Sequence, residues 1–112
     1  MSADRPHAVF AYGLLNGPET RAKLGISPEY VCRAELRGYV MKRLLNLTVV
    51  DHGPGMVEGV VWRLSDAELE KVDDLERGFE RRHCVALLDD HAKTPIKCFV
   101  YAIGPQLKEE FE

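Results

Sequence analysis

The apolar positions of the chain fall into short runs that switch between two periods. Residues 8–12 form a β-rich run that stops at Gly13, the pattern of a strand feeding a turn. Proline suits the first position of a helix and glycine the residue after its end, so 18–24 reads as a short helix that begins at Pro18 and is closed by Gly25. From 30 to 50 a partial alternation over 31–36 is interrupted by Gly38, and β-branched and aliphatic residues resume over 40–50, which gives room for two or three strands. His52-Gly53-Pro54-Gly55 has the composition of a turn. Strands are expected over 57–63, 83–88 and 98–102, the last two joined by a turn at Asp89-Asp90-His91.

The strongest local signal is Leu64-Ser65-Asp66-Ala67-Glu68-Leu69. Ser65 caps a helix, Glu68 reaches back to close a capping box, and Leu64 and Leu69 are placed to form the accompanying hydrophobic staple. At about 100° per residue Leu69, Val72 and Leu75 form one stripe, and Glu76 lies within about 40° of its centre. Asp73 falls at the stripe's edge, and Glu70, Lys71 and Asp74 point elsewhere. These elements make one α+β domain over 1–112, a mixed and barrel-like β-sheet with a few short helices. Residues 1–7 and 106–112 read as loose tails.

With 112 residues, 46% hydrophobic and 29% charged, the chain has the size and balance of one globular domain that holds a core without staples. Its 15 basic and 18 acidic residues sum to −3 and form no long like-charged block, which argues against nucleic acid and against a polybasic membrane binder. The cysteines, Cys32, Cys84 and Cys98, show no C-x-x-C pair, so free thiols in a cytoplasmic protein are expected. The polar N-terminus and the absence of a long apolar run predict neither signal peptide nor membrane anchor. A monomer and a homodimer both fit.

Two places carry chemistry. Glu76 sits in the last helical turn, where the macrodipole disfavours a negative charge, and on the core-facing side. Either the helix ends early and Glu76 swings into water or pairs with Arg77, Arg81 or Arg82, or it is a general base kept in a pocket. Tyr12-Gly13-Leu14-Leu15 joins a strand to a helix. It is either an ordinary tight turn with both leucines in the core or a loop whose free N–H groups hold an anion or a carbonyl oxygen. His83 and Cys84 are adjacent and so face opposite sides of a strand. With no H-E-x-x-H or zinc cysteine pattern, no metal and no cofactor are expected. Cys84 reads as a small core residue or, less simply, a thiol nucleophile, and Arg81 and Arg82 as a solvated pair unless one packs near Glu76.

Six pieces stand in order along the chain: Val9-Phe10-Ala11-Tyr12-Gly13-Leu14-Leu15, Leu36-Arg37-Gly38-Tyr39, Val57-Glu58-Gly59-Val60-Val61-Trp62, Val72-Asp73-Asp74-Leu75-Glu76, Glu80-Arg81-Arg82, and Phe99-Val100-Tyr101. Together they resemble the γ-glutamylcyclotransferase-like family, which includes the plant AIG2-like proteins and the γ-glutamylamine cyclotransferases. The resemblance implies that Glu76 is the catalytic general acid/base and that Tyr12, Gly13, Leu14, Leu15 and Tyr101 hold the substrate. It implies a cyclotransferase that releases 5-oxoproline from a small γ-glutamyl amine or amino acid, the substrate's own α-amine attacking its γ-carbonyl. Leu14 stands where the family has Ser or Thr, Arg77 where it has glycine and Glu80 where it has tyrosine. These departures leave open a non-catalytic small-molecule-binding module of the same fold.

Overall fold

The computed structural model describes residues 4–44 and 47–104. Strand β1 (His7–Ala11) leads through a 3-10 turn (Leu14–Asn16) to helix α1 (Pro18–Leu24). Two long strands follow, β2 (Glu29–Leu44) and β3 (Leu47–Leu64), then helix α2 (Asp66–Leu75), β4 (Phe79–Leu88) and β5 (Pro95–Ile103). The strands close a barrel in the order β1-β3-β2-β4-β5. Every neighbouring pair is antiparallel except the closing seam, where β1 runs parallel to β5 with Val9 opposite Phe99. The sheet is therefore mixed, as expected.

Alternation along the strands builds two apolar layers. Phe10, Leu36, Val50, Val57, Val61 and Val100 belong to one cluster with the small residues Ala8, Ala34, Ala86 and Ala102. Val9, Trp62, Leu64 and Tyr101 belong to the second, with Leu69 and Val72 of α2 and Leu15 and Ile26 around α1. Because β1 supplies both clusters, Ala8, Val9, Phe10 and Ala11 are all buried, which is why this strand is a continuous apolar run. Gly59 permits the tight seam between β1 and β3: a Cβ there would collide with the Ala11 carbonyl oxygen.

Both helices start and stop where local chemistry dictates. Pro18 opens α1, and Gly25 ends it at φ 69, its N–H bonding back to the carbonyls of the last turn. In α2 the Ser65 hydroxyl accepts from the Glu68 N–H at 3.1 Å while the Glu68 carboxylate accepts from the Ser65 N–H at 2.8 Å, a complete capping box. Leu64 and Leu69 share a core cluster, as a staple requires.

The structure departs from the expected pattern at several places. His52-Gly53-Pro54-Gly55 is not a turn: it lies inside β3, where the register steps from Arg37–Met56 to Tyr39–His52. Residues 53–55 thus bulge opposite Gly38, a place where proline's missing N–H costs no ladder bond. A Cβ on Gly53 would press to 2.8 Å from the Val40 side chain, so packing rather than turning demands glycine there. The stretch 30–50 holds two strands, β2 and the start of β3, and 57–63 is the continuation of β3 rather than a separate strand. β4 and β5 begin earlier than expected, and 89–94 connect them, with the Asp90 carboxylate accepting from the Thr94 N–H at 2.9 Å. Leu75 is 37% exposed, outside the buried stripe that Leu69 and Val72 form. Toward the N-terminus Arg5 donates to the Ser27 carbonyl at 3.0 Å, and His7 bonds Asp66 at 2.6 Å. The expected tail over 106–112 lies outside the described residues.

Candidate active site

A cavity of about 590 Å³ opens where the end of β1, the start of α1 and the C-terminal end of α2 meet. Tyr12, Gly13, Leu15, Tyr101 and Glu76 all line it, so the structure gathers these separated sequence positions around one space. The side chain of Leu14 is outside what is described.

Glu76 is the C-cap of α2, its N–H bonded to the Val72 carbonyl at 2.9 Å. The helix therefore does not end early. Among the described residues no side chain pairs with its carboxylate, because the nearby arginines are engaged elsewhere. Arg77 bonds Asp74 at 3.2 Å, Arg81 bonds Asp73 at 2.7 Å, and Arg82 bonds Glu80 at 2.7 Å. Burial without a compensating cation pushes the Glu76 carboxyl above its ordinary value, toward easier proton uptake.

The loop that faces it is held from behind. Asn16 donates its side-chain amide to the Ala11 carbonyl at 2.8 Å, and its backbone N–H to the Gly13 carbonyl at 3.0 Å. Its side-chain oxygen accepts from the Trp62 indole at 2.8 Å. Arg21 lies over the Trp62 ring at 4.4 Å and donates to the Leu15 carbonyl at 2.9 Å. The loop's carbonyls are thus drawn into the protein, while among the described residues no backbone bond uses the N–H groups of Gly13 or Leu15. A Cβ on Gly13 would meet nothing within 4 Å, so its cavity side is open. Nothing in the sequence links Asn16 and Arg21 to Trp62, which enters there only as the end of the Val57–Trp62 piece.

Two tyrosines tie the loop to the helix. The Tyr12 hydroxyl donates to the Tyr101 carbonyl at 2.6 Å, and the Tyr101 hydroxyl donates to Asp73 at 2.6 Å. Burial, and then the negative charge of Glu76, push the Tyr12 phenol well above its ordinary value. Burial, and then the bond to Asp73, do the same for Tyr101. Both remain donors across the working pH range. Asp73, noted only at the edge of the helical stripe, joins Tyr101 to Arg81 in this network.

Glu19, Thr20, Thr48 and Phe79 also line the cavity, and among the described residues no Lys, Arg or His lines it. His83 faces away, its ring 4.8 Å from that of Phe99, while Cys84 packs against the first apolar cluster. Among the described residues no group of three or more His, Cys, Asp or Glu side chains is placed to hold a metal ion, and no helix is long and apolar enough to cross a membrane.

A small mixed barrel with a half-buried carboxylate opposite a strand-to-helix loop defines the class of domain. The family profile described as gamma-glutamyl cyclotransferase, AIG2-like, matches residues 9–112, and the chain belongs to this family. Among solved structures it resembles one titled gamma-glutamyl cyclotransferase, with a TM-score of 0.72, 19% identity and 88% of this chain covered. The chain spans 66% of that protein's length. It is similar to an Arabidopsis thaliana protein solved in solution, with a TM-score of 0.78, 25% identity, and 95% of this chain and 74% of the other covered. An AIG2-like protein from Mus musculus shares the fold at a TM-score of 0.68 and 19% identity, with 91% of this chain and 82% of the other covered. No curated protein matches the chain in sequence at a significant level.

Proposed function

We propose that the protein is a γ-glutamyl cyclotransferase that releases 5-oxoproline from a small γ-glutamyl compound. The substrate's α-amine attacks its own γ-carbonyl, a C–N bond forms to close the five-membered ring, and the bond to the leaving nitrogen breaks. Glu76 takes the proton from the α-ammonium and returns it to the leaving nitrogen. The free N–H groups of the Gly13–Leu15 turn receive the substrate carboxylate or the developing oxyanion. Only one protein acid–base group is required, because the nucleophile arrives with the substrate.

The observation that carries this reading is Glu76 itself, half-buried in the cavity, without a side-chain partner among the described residues and with its pKa raised by burial. Among the described residues the lining contributes Glu19 as a second carboxylate and no cationic side chain, which favours an amine as leaving group over an amino acid bearing a further carboxylate. Two of the three departures from the family pattern lie off the cavity. Arg77 is exposed and held by Asp74, and Glu80 is exposed and bonded to Arg82. The third, Leu14, removes a hydroxyl from the loop and supports the second reading, a binding module without turnover. Incubation with a panel of γ-glutamyl amines and γ-glutamyl amino acids, with an assay for 5-oxoproline, separates the two. Release from at least one amine supports the cyclotransferase, and ligand binding without release across the panel supports the module.

A further inference from the structure

Cys84 and Cys98 are register partners in the antiparallel β4–β5 pair, and their sulfur atoms lie 3.5 Å apart. Cys98 is 5% exposed within the first apolar cluster, and Cys84 packs against that cluster while staying partly exposed. Directly opposed residues of antiparallel strands hold their Cα atoms about 4.5–5.5 Å apart, inside the range of about 4.4–6.8 Å that a disulfide spans. From 3.5 Å, the sulfurs are placed for side-chain rotation to bring them toward the bonding distance of about 2.05 Å.

We propose that Cys84 and Cys98 form a site of reversible oxidation, closing a cross-strand disulfide with a hydroperoxide as the oxidant. A thiolate at one sulfur attacks a peroxide oxygen, the O–O bond breaks, and the departing hydroxide takes up a proton to leave as water. The sulfenic acid that results is attacked by the second sulfur. The S–S bond forms, the S–O bond breaks, and the second oxygen leaves as water with the remaining thiol proton. Two thiols lose two electrons and the peroxide gains them. The hydrogen bond from Cys84 lowers the Cys98 pKa against the opposing effect of burial, which favours Cys98 as the first thiolate. Cys84 is the partly exposed member of the pair and Cys98 the buried one. Cys32 serves as an internal control, since its thiol contacts the Asp89 carbonyl at 3.7 Å and no second sulfur is beside it among the described residues.

The test uses the full chain treated with hydrogen peroxide, quenched, denatured and titrated for free thiols, with peptide mapping of the crosslink. The three thiols of the chain should fall to one, Cys32, and dithiothreitol should restore all three. Cys32→Ser should fall from two thiols to none, and Cys84→Ala should form no intramolecular crosslink. Two findings would overturn the site: Cys84 and Cys98 staying free or passing separately to sulfinic acids, or a crosslink that includes Cys32. The parent chain carries the decisive measurement, so the result does not depend on a variant folding.

Discussion

Tyr101 of β5 donates its phenolic hydrogen to Asp73 of α2 at 2.6 Å, one helical turn before Glu76. Arg81, opposite Tyr101 on β4, grips the other carboxylate oxygen at 2.7 Å while lying over the Phe99 ring at 4.7 Å. The end of the helix that presents Glu76 is thereby fastened to the β4–β5 pair. The Tyr101 carbonyl at the same time receives the Tyr12 hydroxyl of the facing loop. One residue of β5 thus sets both walls of the cavity relative to each other.

Tyr101→Phe removes the phenol's bond to Asp73 and keeps the carbonyl that Tyr12 uses. A hydrogen bond to a charged group contributes about 1.5–3 kcal/mol when dry, but Asp73 is 42% exposed and retains Arg81, so a loss of about 1 kcal/mol is expected. Denaturant melts read that loss. Steady-state kinetics should show kcat falling several-fold more than KM rises, because the substrate loop is untouched while the acid–base group loosens.

Ser65→Ala should cost about 1 kcal/mol by removing the hydroxyl that accepts from the Glu68 N–H. Turnover per folded molecule should be unchanged, since the cap lies at the opposite end of α2 from Glu76. An unaltered midpoint in urea would mean that the capping box contributes nothing to the fold.

The difference between what was readable in the sequence and what was not follows the range of the interactions. The helix from Ser65 was legible because its cap, box and staple lie within six residues, and the position of Glu76 follows from the helical angle alone. The α1 limits were legible for the same reason, through Pro18 and Gly25. The bulge over 53–55 was not, because Gly-Pro-Gly has the same composition in a turn and in a bulge, and only pairing across Gly38 distinguishes them. Asp73 was visible as a polar residue at a stripe's edge, but its partner Tyr101 is 28 positions away and no local pattern links them. The cavity's Thr48 and Phe79 likewise arrive from distant strands. Glu76 and the 12–15 loop were joined only through resemblance to the family, and the barrel's closure supplies the physical reason they meet.

At the loop, Gly13→Val should fold normally, because a Cβ there meets nothing within 4 Å, and should fill the cavity side of the turn. Binding of a γ-glutamyl ligand should be lost by steric block. Leu14→Thr should stay within about ten-fold of the parent, since backbone N–H groups depend on the turn and not on this side chain. Calorimetric titration of both variants checks the pair, and normal binding by Gly13→Val would remove the loop from the ligand site.

The raised Glu76 pKa makes a prediction of sign. A carboxyl whose folded value exceeds its ordinary 4.5 binds its proton more tightly in the folded state, so its contribution to stability falls as pH rises from 4.5 through the folded value. At neutral pH the buried charge is a net cost. Glu76→Gln should therefore match or exceed the parent's stability at pH 7, and that advantage should shrink as pH is lowered through the window. Paired melts across pH 4 to 8 read the difference, and a variant that is less stable than the parent at neutral pH would contradict the desolvated carboxylate.

The most direct measurement of the central claim is 5-oxoproline release by Glu76→Gln beside the parent on the best γ-glutamyl substrate of the panel. The variant keeps the shape of the side chain and loses its ability to take up the proton. Turnover should drop by at least about 10²-fold while ligand affinity stays within a few-fold. Turnover within a few-fold of the parent would show that Glu76 is not the general acid/base of this cavity.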